Sequence, residues 1–160
     1  MDAAALVAEL RDRGLTLAIA ESLTGGLLVA EFVAVPGVSA VLNGGVVAYN
    51  TALKHSVLGV DASLLEEHGA VHPQVAEQMA DRVRSELAVD GRPSDVGLST
   101  TGVAGPDWQD GQAPGTVFLG IAVGTAVRSV RLELSGDRGA IRRATVSESL
   151  LELSRSLLEG

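Results

Sequence analysis

The stretch LTLAIAESLTGG, residues 15–26, decides the fold of this chain. Its first seven residues are a short apolar run, which is typical of a strand buried on both faces of a sheet. From Gly25 to Val35 the apolar residues are dense and no proline interrupts them, so a buried helix is predicted to begin at the glycine pair. A buried strand that leads directly into a helix is the repeating unit of α/β proteins.

The segments on either side of this unit predict more strands and helices. Helices are predicted at 3–13, 63–69, 73–89 and 137–158, further core strands at 42–50 and 95–102, an antiparallel hairpin at 115–124 and 125–135, and a short helix capped by Thr51. Strands alternate with helices early and the hairpin comes late, which predicts a three-layer α/β/α sandwich with a mixed sheet. The 160 residues suffice for a single domain, 1–160.

Composition excludes several classes of protein. Hydrophobic residues make up 46% of the chain and charged residues 20%, so a core can be buried and intrinsic disorder is excluded. With 20 acidic and 12 basic residues the net charge is -8, and neither nucleic acid nor a membrane is an expected partner. The start of the chain lacks the features of a signal peptide, and no apolar run reaches about 18 residues. We therefore expect a cytoplasmic protein.

Several common site signatures are missing from the sequence. The motifs G-x-x-x-x-G-K-[ST], G-x-G-x-x-G and G-x-S-x-G do not occur, which argues against kinases, Rossmann dehydrogenases and α/β-hydrolases. There is no cysteine. His68 and His72 are four residues apart, but Gly69 and Pro73 interrupt the helix that would align them. No metal ion and no cofactor are expected.

The segment AESLTGG, residues 20–26, is the first candidate site. Ser22 stands at the carboxyl end of the first strand, where open α/β sheets bind ligands. The turn through Thr24, Gly25 and Gly26 leads into a helix, and its unpaired amides and the helix dipole both favour a phosphate or an oxyanion. The alternative is that Ser22 or Thr24 only caps the helix.

Lys54 is the second candidate. It is the only lysine among 12 basic residues, and arginine cannot supply its removable proton. Partial burial near a helix N-terminus is expected to lower its pKa, as a lysine that acts as a general base requires. Tyr49 precedes it by five residues. The alternatives are chance use of one lysine and a solvated lysine on a short helix.

Two further segments supply polar groups. TTGVAGP, residues 100–106, follows the third core strand and offers the hydroxyl of Thr101 and backbone donors around Gly102. GDRGAIRR, residues 136–143, carries Arg138 and Arg142 four apart, a spacing that suits bidentate binding of phosphate or carboxylate. Each segment alone is equally typical of a generic turn or a solvated helix face. Together with Ser22 and Lys54 they supply a nucleophile, a base, oxyanion donors and an anion site.

AESLTGG, PGVSAVLNGGVVAYNTALKHSVLGV (36–60), TTGVAGP and GDRGAIRR resemble, in order and spacing, the C-terminal domain of the competence-damage protein CinA. The resemblance covers about residues 5–158. Free-standing members of that family are nicotinamide-nucleotide amidohydrolases with an α/β/α sandwich fold. The resemblance therefore implies metal-free hydrolysis of nicotinamide mononucleotide to nicotinate mononucleotide and ammonia, a step of pyridine nucleotide salvage.

The resemblance also implies roles for individual residues. Ser22, Lys54 and Tyr49 correspond to the family's catalytic positions, with Ser22 as the nucleophile and Lys54, aided by Tyr49, as the base. Thr101 and Arg142 correspond to its threonine and arginine positions. Arg142 is expected to bind the substrate phosphate together with the amides of Thr24 to Gly26, although Arg138 and Arg143 lie close in sequence.

The chain departs from the family pattern at residues 107–114, where DWQDGQAP with Trp108 replaces a glycine-rich loop, and at His72. These departures concern the fit of the substrate, and the loop is expected to form one wall of the pocket mouth.

The alternative function is a catalytically silent module of the same fold that binds a nucleotide or a partner, linked to competence or the DNA-damage response. Small apolar residues and the hairpin edge also favour a homo-oligomer.

Overall fold

The computed structural model describes residues 2–159, which form one five-stranded sheet with helices on both faces. The elements follow in the order α1 (Ala3–Asp12), β1 (Leu17–Glu21), α2 (Leu27–Val33), a 3-10 turn (Val38–Ala40), β2 (Leu42–Val47), α3 (Thr51–Ser56), α4 (Ala62–His68), α5 (Pro73–Glu86), β3 (Val96–Gly102), β4 (Thr116–Val123), β5 (Ala126–Glu133) and α6 (Arg138–Glu159).

The sheet has the strand order β2-β1-β3-β4-β5. β1 pairs in parallel with both β2 and β3, while β3 with β4 and β4 with β5 are antiparallel. The predicted mixed sheet and the late hairpin are confirmed. Because parallel strands end at the same edge of a sheet, the segments that follow β1, β2 and β3 meet there.

The side chains of β1 alternate between two layers of helices. Leu17 and Ile19 belong to the core that α1, α2 and α6 build on one face. Ala18 and Ala20 pack on the opposite face with residues of α4 and α5. The whole of β1 is buried, as its continuous apolar run predicts, and the three-layer sandwich is confirmed.

Helix α5 lies unusually close to the sheet, and two glycines allow this. A Cβ added at Gly97 in β3 would lie 1.8 Å from the carbonyl oxygen of Ala80, and one at Gly120 in β4 would lie 2.0 Å from that of Ala76. No side chain fits into these gaps. The close contact fixes the start of α5, and with it the connection from α4, next to the end of β3.

Two predictions about the second strand and its helix are wrong. The stretch 42–50 was expected to hold a core strand, but β2 is an edge strand and is only partly buried, because it pairs with β1 alone. The cap of α3 is Asn50 rather than Thr51, since the Asn50 side chain accepts the N–H of Ala52 at 2.9 Å.

No helix within residues 2–159 combines the length and the apolarity needed to cross a membrane.

Candidate active site

Ser22 and Lys54 meet at the carboxyl ends of β1 and β2. Ser22 directly follows β1, and Lys54 lies in α3, which begins shortly after β2. The Lys54 Nζ atom is 3.0 Å from Ser22 Oγ, and both side chains are buried, Lys54 with 1% of its surface exposed. The two residues that the sequence singled out as nucleophile and base are therefore in hydrogen-bonding contact.

The other neighbours of the Lys54 amine are backbone carbonyls. Nζ donates to the oxygen of Ala48 at 2.7 Å and to that of Tyr49 at 3.4 Å. A neutral amine has two N–H groups, which these two carbonyls accept, and one lone pair, which is left for the hydroxyl of Ser22. The geometry therefore suits transfer of the serine proton to the lysine without rearrangement of either side chain.

Burial lowers the pKa of Lys54 from 10.5 to about 8, although the negative charge of Asp110 acts in the opposite direction. The predicted direction is confirmed, and desolvation of the ammonium is its main cause. A pKa near 8 leaves a fraction of the lysine neutral at physiological pH. That fraction can act as a general base.

The turn after Ser22 is held by β3 on one side. The Ser22 N–H donates to the carbonyl of Thr100 at 3.0 Å, and the hydroxyls of Thr24 and Thr100 are 2.8 Å apart. Gly26 is the N-cap of α2, and the hydroxyls of Ser22 and Thr24 contact Lys54 and Thr100 instead of its first turn, so the alternative that one of them serves as its cap is wrong. Within residues 2–159 no protein acceptor takes the N–H of Leu23 or Thr24. Leu23 also lines the cleft above Ser22, whereas Thr24 is fully buried, so the Leu23 amide is the one available to an oxyanion.

Glu21 is a structural residue of the site that the sequence reasoning missed. Its carboxylate is fully buried and accepts the N–H of Leu28 at 2.8 Å and that of Val29 at 3.2 Å. Glu21 thus satisfies the first turn of α2 from the end of β1 and fixes the chain on both sides of Ser22. The sequence does carry a signal for this role, an acidic residue at the end of a strand predicted to be fully buried. A buried charge requires hydrogen-bond partners.

A cleft of about 400 Å³ opens above Ser22. Its lining comprises Ser22, Leu23, Tyr49, Gly102, Val103, Ala104, Gly105, Pro106, Asp107, Trp108, Gln109 and Arg138. The 107–114 loop therefore walls the cleft through its first three residues, as predicted, and Trp108 is 70% exposed there. Thr101 is turned away from the cleft, since its hydroxyl donates to the carbonyl of Ala70 at 2.7 Å.

The two candidate arginines have different surroundings. Arg138 lines the cleft and donates to the Tyr49 hydroxyl at 3.0 Å and to the Gly105 carbonyl at 2.8 Å. Arg142 donates to the carbonyls of Leu23 at 2.9 Å and Thr24 at 3.0 Å, and thereby supports the turn after Ser22. The Tyr49 phenol thus contacts Arg138, while its backbone carbonyl contacts Lys54.

The histidines stand apart from this cleft. The rings of His68 and His72 stack with their centroids 4.5 Å apart, and the His72 side chain accepts the N–H of Gln74 as the N-cap of α5. In the part of the chain that the structure describes, residues 2–159, no group of three or more His, Cys, Asp or Glu side chains could hold a metal ion.

Comparison with known proteins finds relatives over most of the chain. Residues 2–157 match the family model described as the CinA C-terminal domain. A CinA-like protein of Frankia casuarinae is 49% identical over 150 residues, which are 92% of this chain and 33% of that protein. The chain spans about a third of the length of the curated relatives it matches.

Solved structures resemble the chain over nearly its whole length. A CinA superfamily protein from Enterobacter cloacae has a TM-score of 0.89 and 31% identity, with 98% of this chain and 93% of that chain covered. The competence damage-inducible protein A from Klebsiella pneumoniae has a TM-score of 0.88 and 31% identity, with 99% and 98% covered. The chain belongs to the CinA C-terminal domain family.

Proposed function

We propose that this protein is a nicotinamide-nucleotide amidohydrolase, which converts nicotinamide mononucleotide to nicotinate mononucleotide and ammonia. The observation that carries the proposal is the buried contact of 3.0 Å between Ser22 Oγ and Lys54 Nζ beside a cleft. A protein that only binds a nucleotide gains nothing from a buried lysine with a lowered pKa, and burying that amine costs stability. The choice of this substrate rests on the resemblance to the free-standing members of the family.

The reaction proceeds through an ester on Ser22. Neutral Lys54 takes the hydroxyl proton, and Oγ forms a bond to the carboxamide carbon. The C–N bond then breaks, and the Lys54 ammonium gives its proton to the departing amine, which leaves as ammonia. Water, deprotonated by Lys54, attacks the nicotinyl ester, releases nicotinate mononucleotide and restores the Ser22 hydroxyl. The amide of Leu23, which lines the cleft, stabilises the oxyanion of each tetrahedral intermediate.

Purified protein is expected to release ammonia and nicotinate mononucleotide in equal amounts from nicotinamide mononucleotide, and Ser22→Ala is expected to release neither. Chromatography of the nucleotides and an ammonia assay measure both products. Ser56→Ala, on the exposed surface of α3, is the control and should keep full activity. Turnover by Ser22→Ala at the normal rate would contradict the mechanism. Binding of the nucleotide without turnover by the unaltered protein would favour the alternative of a silent binding module.

Arg138 is expected to bind the substrate phosphate, because it lines the cleft and Arg142 does not. Arg138→Ala should raise KM for nicotinamide mononucleotide about tenfold to a hundredfold, the effect of losing hydrogen bonds between charged groups, and leave turnover of free nicotinamide unchanged. Arg142→Ala should impair both substrates equally. Exposed Arg143 is the control. If instead Arg142→Ala raised KM for nicotinamide mononucleotide alone and Arg138→Ala impaired turnover of both substrates, the result would support the sequence-based prediction that Arg142 binds phosphate.

We also propose that the chain self-associates along β2 rather than along the hairpin edge. Large apolar side chains are exposed on β2 and on the helices that precede and follow it in the chain: Leu27, Val33, Val47, Leu53 and Val57. An uncovered strand edge beside an apolar patch is typical of a protein interface. Light scattering is expected to give the mass of a dimer, and Val47→Asp to give that of a monomer. A monomeric unaltered protein would contradict the proposal.

A further inference from the structure

The tip of the 107–114 loop is a tight two-residue turn. The backbones of Gln109 and Gln112 exchange hydrogen bonds of 3.1 and 2.8 Å, and the turn residues between them, Asp110 and Gly111, both have positive φ. An Asp-Gly pair is the usual solution for such a hairpin turn. The turn places Asp110 against the connection between α4 and α5.

The Asp110 carboxylate contacts this connection directly. Its Oδ2 accepts the N–H of Ala70 at 2.9 Å. The carboxylate lies so close over Gly69 that an added Cβ there would be 2.3 Å from Asp110 Cγ. Gly69 itself has a φ of +73° and ends α4. The backbone at 69–70 is thus shaped to receive the carboxylate.

Ala70 connects the loop tip to the end of β3. Its carbonyl accepts the Thr101 hydroxyl at 2.7 Å, while its N–H is taken by Asp110. Neighbouring Val71 packs with Val103 and Phe118 in a small buried cluster. Asp110 and Thr101 therefore bind buried Ala70 from two sides. These two hydrogen bonds fix the loop relative to β3, the strand that leads into the cleft.

The same carboxylate acts on the proposed base. The charge of Asp110 raises the pKa of Lys54, against the larger effect of burial. The groups in contact with the Lys54 amine are the Ser22 hydroxyl and the carbonyls of Ala48 and Tyr49, none of which carries a charge. Asp110 is the charged group that opposes the desolvation of this lysine.

We propose that Asp110 is a positioning residue of the active site, whose carboxylate holds the 107–114 loop against Ala70 and sets the electrostatic environment of Lys54. The catalytic part of this inference rests on the proposed function. The loop residues Asp107, Trp108 and Gln109 then form a fixed wall of the cleft. Asp110 does not line the cleft and does not contact the Lys54 amine, so it acts through the loop and through its charge.

The chain contains a matched control for this residue. Asp90 and Gly91 form a second Asp-Gly turn between Val89 and Arg92, whose backbones exchange two hydrogen bonds of 3.0 Å. Asp90 has the same φ of 52° as Asp110, and both aspartates are exposed. Substitution of either aspartate perturbs the same kind of turn. Only Asp110 variants also lose the contact with Ala70 and the charge that acts on Lys54.

The first experiment titrates Lys54 itself. Since it is the only lysine, protein grown with 13C at the lysine ε-carbon gives one side-chain signal whose chemical shift reports its ionisation. Asp110→Asn keeps an oxygen that accepts the N–H of Ala70 and tolerates positive φ, but removes the charge. Its Lys54 signal is expected to titrate at lower pH than in the unaltered protein. Asp90→Asn should leave the titration unchanged.

The second experiment tests the loop through Trp108, the only tryptophan. Asp110→Ala is expected to shift the tryptophan emission and to raise KM for nicotinamide mononucleotide about tenfold, as loss of one hydrogen bond to a charged group predicts. Asp110→Asn should restore both, while the acid limb of its kcat/KM profile moves to lower pH. A role limited to folding would not move that limb. Asp90→Ala should change neither property.

Two results would overturn the proposal: a Lys54 titration in Asp110→Asn that matches the unaltered protein, or an Asp110→Ala emission that matches Asp90→Ala. Absence of turnover in the unaltered protein is a separate outcome, which would overturn the proposed reaction alone. The lysine titration and the tryptophan emission need no activity, so they still decide whether Asp110 fixes the loop and acts on Lys54.

Discussion

Replacing Lys54 with methionine is expected to abolish turnover of nicotinamide mononucleotide and, at pH 7, to stabilise the fold. Loss of a general base typically lowers kcat by about a hundredfold to ten-thousandfold. The depression of the lysine pKa from 10.5 to about 8 corresponds to a cost of about 3 kcal/mol for holding the ammonium in the folded protein. Methionine has a similar length and no charge to desolvate.

The net gain in the free energy of unfolding should be about 1 to 2 kcal/mol, because the Ala48 carbonyl loses its donor. The gain depends on pH in a defined direction. Below pH 8 the lysine is charged in both the folded and the unfolded chain, so its cost is fully present. Between about pH 8 and 10.5 the unfolded chain binds more protons, and the unaltered protein gains stability as pH rises.

Urea unfolding of Lys54→Met and of the unaltered protein at pH 7 and at pH 10 measures this difference. The variant should be the more stable protein at pH 7, and the difference should shrink at pH 10. A variant that is less stable at pH 7 would contradict the predicted cost of burying the Lys54 ammonium. Retention of activity would contradict its role as the base.

The order of elements could be predicted because the decisive signals are local. A continuous apolar run at 15–21, a glycine pair and a long amphipathic pattern starting at Pro73 each mark one element within a few residues. The position of β2 at the edge of the sheet could not be predicted, since strand order depends on which surfaces the helices cover. The strand itself carries the same kind of apolar residues as a central one.

The contact between Ser22 and Lys54 was accessible from the sequence for a topological reason. Both residues follow strands whose carboxyl ends meet at one edge if the strands are parallel, as β1 and β2 are. The direction in which a side chain points does not follow from this topology. Tyr49 was expected to aid Lys54, yet its phenol contacts Arg138, and that role for its hydroxyl stays a prediction.

The contacts of the aspartate and arginine side chains depend on long-range geometry. Arg138 and Arg142 are one turn apart in α6, and only the packing of that helix decides that the first lines the cleft and the second supports the turn after Ser22. Asp110 and Ala70 are joined by the fold across 40 positions of sequence. No motif or periodicity connects such pairs, so single-sequence reasoning could not find them.

Glu21→Ala is expected to lower the free energy of unfolding by about 3 to 5 kcal/mol, because it leaves the N–H groups of Leu28 and Val29 without an acceptor and opens a cavity at the end of β1. Turnover should fall about a hundredfold as Ser22 loses its fixed position, since small misplacements of reacting groups have effects of that size. Glu31→Ala, an exposed acid of the same helix, should change stability by less than about 0.5 kcal/mol. Urea unfolding and product assays measure both variants. Equal stability of the two would show that the buried carboxylate is dispensable to α2 and that the helix N-terminus alone positions the nucleophile.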